Sequence, residues 1–200
     1  VMGIATPLYG LAPFVWLRGS SDRWLIASAY SAEMLAQYGA LVQIFFSPFT
    51  VLAGAAYSYI SPILNQSFDA NRTQQKRKLK FVKNFPKILF LTVALVLSLA
   101  TLPFIGGFVL PEQYEHMGVY TPIVACAGVL SVLISGQEAK LLSEYKHWKI
   151  VIPRVLSALV SVLLFAFLPS KFDILGCFFA LALSQLFYAV ALQFTIQREA

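Results

Sequence analysis

The chain has 200 residues, 58% hydrophobic and 12% charged, with a mean hydropathy of +0.73 and a formal net charge of +6. Globular proteins carry about 25% charged residues, and a fold of this size needs a polar coat over the surface that it cannot bury. Its 15 Lys and Arg and 9 Asp and Glu do not supply that coat. Soluble globules, disordered chains, disulfide scaffolds and nucleic-acid-binding domains are thereby excluded, and the expected solvent is lipid.

A helix needs about 20 mostly apolar residues to cross a hydrocarbon layer about 30 Å thick. In chain order, six stretches qualify: Gly3–Ala29, Ala36–Leu64, Ile88–Leu110, Val119–Leu142, Ile150–Leu168 and Ile174–Ile196. They are too long and too continuous for membrane β-strands. The expected fold is all-α, a polytopic six-transmembrane-helix bundle forming one domain over residues 1–200. Pro13, Pro48, Pro103, Pro122 and Pro153 fall inside these spans, where helix neighbours can satisfy the freed carbonyls, so they read as kinks. The apolar run at Val1 lacks the charged leader of a signal peptide and reads as the continuation of a longer chain. Cys126 and Cys177 lie in apolar runs and read as packing.

The charges set an orientation. Arg72, Lys76, Arg77, Lys78, Lys80, Lys83 and Lys87 follow span two; Lys140, Lys146, Lys149 and Arg154 separate spans four and five; Arg198 follows span six. The other side has Arg18, Arg23 and Lys171 against Asp22, Glu33, Glu112, Glu115 and Asp173. By the positive-inside rule both ends and the 65–87 loop are cytoplasmic, and an even number of spans agrees. The basic loop reads as an anchor on anionic headgroups of the membrane lipids.

Enzymatic signatures are missing from the sequence. No Gly-rich phosphate loop, metal-binding His/Glu pair or nucleophile elbow occurs, and His116 and His147 fall at opposite membrane faces. A non-enzymatic protein without cofactor or catalytic residues is expected. The most informative polar run is Arg18–Gly19–Ser20–Ser21–Asp22–Arg23 in span one. At 1.5 Å per residue, Arg18 lies about 15 Å from the outer end of its helix, near the midplane. A cation there costs about 2.5–3.5 kcal/mol on insertion scales, so it should face protein or a water-filled cavity. Arg18 and Asp22 are four residues apart and can pair, either pinning two helices or standing over a cavity that receives an anionic headgroup. Arg23 points elsewhere and can snorkel outward. Gln37, Tyr38, Gln43 and Tyr57 in span two, and Gln185 and Tyr188 in span six, suit cavity lining or helix–helix bonding equally. Glu138 and Lys140 are two apart at the cytoplasmic end of span four and each should meet water or another helix.

Several short patterns together resemble bacterial polysaccharide flippases. These are Asp22–Arg23, then Glu33 and Tyr38; Ser47–Pro48–Phe49 in mid-span; Pro62 near the cytoplasmic face; Gly107–Tyr114; and Asp173–Ile174–Leu175–Gly176 followed by Ala180. Ala36 departs from the glycine common in that family two residues before the tyrosine. The family is the O-antigen and capsule repeat-unit (Wzx-like) flippases of the multidrug/oligosaccharidyl-lipid/polysaccharide exporter superfamily. The resemblance implies that the six helices are the C-terminal lobe of a two-lobe transporter in the bacterial inner membrane. Such a transporter carries undecaprenyl-diphosphate-linked oligosaccharide from the cytoplasmic to the periplasmic leaflet by alternating access, coupled to an ion. Its partners would be the lipid-linked oligosaccharide, an N-terminal lobe and a polymerase, with no nucleic acid. Arg18, Asp22, Arg23, Gln37, Gln43 and Tyr57 are the substrate-binding candidates, with Asp22 orienting Arg18 or exchanging a proton or sodium ion. A drug or lipid II exporter, a membrane-embedded polymerase or ligase, and a non-transporting scaffold are the competing readings.

Overall fold

A computed structural model describes residues 2–67, 112–143 and 147–197. The expected third span (88–110), most of the basic loop and residues 107–111 of the Gly107–Tyr114 pattern lie outside the described residues. Helix α1 (Met2–Ala29) ends at a two-residue connection, Tyr30 and Ser31, before α2 (Ala32–Leu41). Ser31 caps α2 by accepting a hydrogen bond from the Met34 amide at 3.1 Å, the usual service of a serine at a helix start. The helix then widens into π geometry over Val42–Phe46 and continues as α3 (Ser47–Ser67). Pro48 supplies the cause: it has no N–H for the carbonyl four residues earlier, and the wider turn absorbs that defect. The Ser47 hydroxyl helps by donating to the Val42 carbonyl at 3.3 Å. The expected kink in span two is therefore a π-bulge just before the proline.

A 3₁₀ segment (Glu112–Tyr120) leads into α4 (Thr121–Ser143), followed by α5 (His147–Phe167) and α6 (Pro169–Gln197). Near its start α6 breaks at Phe172 and at Asp173, whose φ of 48° and ψ of −135° are not helical. The regular helix therefore runs from Ile174, where the apolar run begins. Gly176 lies against this turn: a Cβ there would sit 2.4 Å from the Leu168 carbonyl oxygen. Only glycine lets the two backbones approach so closely.

Among the described residues there are only helices, and four are long and apolar enough to cross a membrane: Ala32–Ala55, His116–Leu142, Trp148–Phe167 and Pro169–Gln197. Helix α1 is long but carries Arg18, Asp22 and Arg23, and it is not among the four. The outward surface holds large apolar side chains, including Trp16, Trp24, Val51, Ile152, Phe167 and Phe194. A helical chain with apolar residues both in its core and on its outside fits an all-α membrane protein.

Packing makes an open arc. Helix α1 lies along α5, α5 along α6, α6 along α4 and α4 along α3. Among the described residues α1 and α3 are not closely packed on one another, and a space lies between them. The α3–α4 crossing is close because Gly128 faces the Phe49 ring, within a cluster that includes Ala53, Ala125, Val129 and Val132. At the end of the arc that holds the α1–α2 and α5–α6 connections, the core is dense and aromatic. Tyr38 is fully buried, stacks on Phe178 at 5.7 Å and meets Phe165 edge-on at 6.1 Å; Tyr120 stacks on the same Phe178 at 5.3 Å.

Candidate functional site

A cavity of about 570 Å³ lies in the arc, walled by side chains from α1, the π segment and α3, α4, α5 and α6. Phe14, Phe46, Ala53, Ile134 and Leu142 give it apolar walls. Its polar lining comprises Arg18, Thr50, Tyr57, Ser131, Ser135, Glu138, Arg154 and Gln185. Arg18 stands near the middle of its 28-residue helix. The cavity extends from there away from the aromatic end, as Tyr57 and Leu142 on its wall indicate.

Three charges meet around Tyr188. The Arg18 guanidinium lies over the Tyr188 ring, 4.2 Å from its centre, and donates through Nη2 to Gln185 Oε1 at 2.5 Å. Arg18 Nε is buried and finds no acceptor among the described residues. The Tyr188 hydroxyl donates to Glu138 Oε1. Arg154 reaches the same Glu138 oxygen through Nε at 3.0 Å and Nη2 at 2.9 Å, and its Nε also contacts the Tyr188 hydroxyl at 3.2 Å. Arg154 and Glu138 are each under one-fifth exposed. Such a pair is costly to desolvate, and good geometry with added hydrogen bonds offsets that cost.

No protein-family model, curated protein or solved structure matches the chain. The site must therefore be read from its own chemistry. It offers one cation with spare donors (Arg18), one cation held by a carboxylate (Arg154), and hydroxyl and amide groups on apolar walls. That combination suits an anionic group. Among the described residues no cluster of His, Cys, Asp and Glu could hold a metal ion.

Of the six residues expected to bind substrate, the structure brings Arg18 and Tyr57 to the cavity. The expected Arg18–Asp22 pair does not form. Asp22 instead accepts the Tyr38 hydroxyl at 2.8 Å and the Arg23 amide at 2.8 Å, at the aromatic end, so it does not orient Arg18. Spacing of four allows contact along one helix, but here each group has a better partner on another element. Arg23 is exposed, as snorkelling anticipates. Gln37 donates to Glu33 at 3.4 Å, and exposed Gln43 accepts from Ser47 at 3.4 Å; neither lines the cavity.

Sequence reasoning missed the role of Arg154, which it placed among the loop cations. Because α5 begins at His147, Arg154 lies two turns inside the helix and on the cavity wall. Glu138 meets another helix, as anticipated, through Arg154 and Tyr188. Gln185 and Tyr188 were visible only as polar residues in an apolar span; their spacing of three, one helix face, was the available signal.

Proposed function

We propose that the chain forms one lobe of a flippase for a diphosphate-linked lipid oligosaccharide in the bacterial inner membrane. The observation that carries this reading is the Arg18 guanidinium on the wall of a cavity midway along the bundle. A diphosphate crosses hydrocarbon only if cations and water replace its hydration there. The space that the described residues leave between α1 and α3 suits a ligand whose prenyl tail stays in lipid while its headgroup enters the protein. The dense aromatic end closes one route, and the cavity extends toward the other. With the basic segments cytoplasmic, as the positive-inside rule has them, the closed end is periplasmic and the lobe rests in a state that loads from the cytoplasm. A second six-helix lobe completes the pathway in this account.

Reconstituted transport of a fluorescent undecaprenyl-diphosphate oligosaccharide between leaflets, or surface-polysaccharide complementation, tests the reading. Arg18→Ala is expected to abolish transport at normal protein level, and Arg18→Lys to restore part of it, because lysine keeps the charge without the planar fork. Normal transport by Arg18→Ala, with the protein folded, overturns the reading.

A further inference from the structure

The cavity wall carries two arginines and one carboxylate, so one positive charge remains unmatched there after Glu138 has paired. All the described bonds to it converge on a single oxygen, from Tyr188 and from two nitrogens of Arg154. Both Arg154 nitrogens share one oxygen instead of taking one each, so the carboxylate does not fill the two-oxygen fork with which arginine grips phosphate. Among the described residues Arg18, across the Tyr188 ring, is bound only to neutral groups, and its Nε finds no acceptor.

We infer that Glu138 is a resident counter-anion that an incoming diphosphate displaces, leaving Arg154 as the second cationic ligand beside Arg18. The inference rests on the anion-transport reading above and deepens it. Tyr188 couples the two halves of the site: its ring supports Arg18, and its hydroxyl touches both Glu138 and Arg154. In the empty lobe the carboxylate spares Arg154 the cost of standing unpaired in a mostly buried site. On loading, the ligand takes over the Arg154 fork, and Glu138 turns toward the water and hydroxyls of the cavity. Arg154 and Glu138 are thus a binding group and its competitor; if they were only a structural pin between α4 and α5, they would affect folding alone.

The test is titration of the purified chain in lipid nanodiscs with three probes: inorganic pyrophosphate, farnesyl diphosphate and farnesol. Glu138→Gln is expected to tighten binding of both diphosphates by about tenfold, the scale of one hydrogen bond to a charged group. Arg154→Gln should weaken it by a similar factor, and Arg154→Lys should recover part of the loss. Thermal unfolding of each variant identifies those that remain folded. If Arg154→Gln fails to fold, the sign of the Glu138→Gln effect and the Arg154→Lys value decide. Farnesyl diphosphate binding tighter than pyrophosphate, with farnesol inert, marks a lipid headgroup; equal binding of the two diphosphates marks a free anion. Diphosphate binding that is lost in Arg18→Gln but unchanged in Glu138→Gln and the Arg154 variants overturns this inference and leaves the transport reading standing. No diphosphate binding by the unaltered chain overturns both.

Discussion

The two ends of the bundle treat buried charge in opposite ways. At the aromatic end, Asp22 accepts a bond from a fully buried tyrosine, and Tyr38, Phe165, Phe178 and Tyr120 fill the space around it. At the cavity end, Arg18, Glu138 and Arg154 line a cavity, and among the described residues Arg18 Nε finds no acceptor. Both ends derive from apolar helices with isolated polar residues. What separates them is whether large rings or small and hydroxyl-bearing residues surround the charge. Packed charge serves folding, whereas charge beside a cavity is available to a ligand.

Substitutions can break or sharpen this contrast. The largest effect is expected from Arg18→Gln: transport should fall about a hundredfold, as when a charged contact worth 2–5 kcal/mol is lost, while the unfolding midpoint barely moves. At the packed end the effects reverse. Gly176→Ala drives a methyl group into the Leu168 carbonyl and should cost about 1–3 kcal/mol in detergent unfolding. Tyr38→Phe removes the hydroxyl that serves Asp22 and should cost about 1–2 kcal/mol, with ligand affinity unchanged. The smallest expected effect is a gain. Asp173→Gly relieves a backbone conformation that L-residues avoid, and should raise stability by about 0.5 kcal/mol after glycine's own entropy cost. Equal losses of stability and transport at both ends would erase the distinction.

Much of the helical framework can be read from apolar periods. The run Gly3–Ala29 corresponds to α1, and the last span, read as starting at Ile174, begins where Asp173 interrupts the helix. Pro48 announced a distortion, although not that the chain would resolve it by a π-bulge. The site was harder, because its partners are far apart in sequence. Arg18 bonds Gln185 across the whole chain, a choice decided by the neighbours that α1 acquires rather than by spacing within it. Asp22 was assigned to Arg18 by the four-residue rule, yet Tyr38 had the reach and the burial to claim it. Arg154 was grouped with the loop cations although it lies inside the Ile150–Leu168 run, because charge sign and nearness to the basic flank outweighed its position in the span. The helix from His147 sets it two turns in.

Water access to the cavity is the most direct test of the account. In a chain with Cys126 and Cys177 replaced, single cysteines at Ser135 and at Val124 can be probed with a membrane-impermeant thiol reagent added to either face. Ser135 lines the cavity, and Val124 is fully buried at the packed end. The account predicts that Ser135→Cys reacts from the cytoplasmic face, that pyrophosphate slows this reaction, and that Val124→Cys stays unlabelled. An unreactive Ser135→Cys from both faces, in a folded protein, would contradict it.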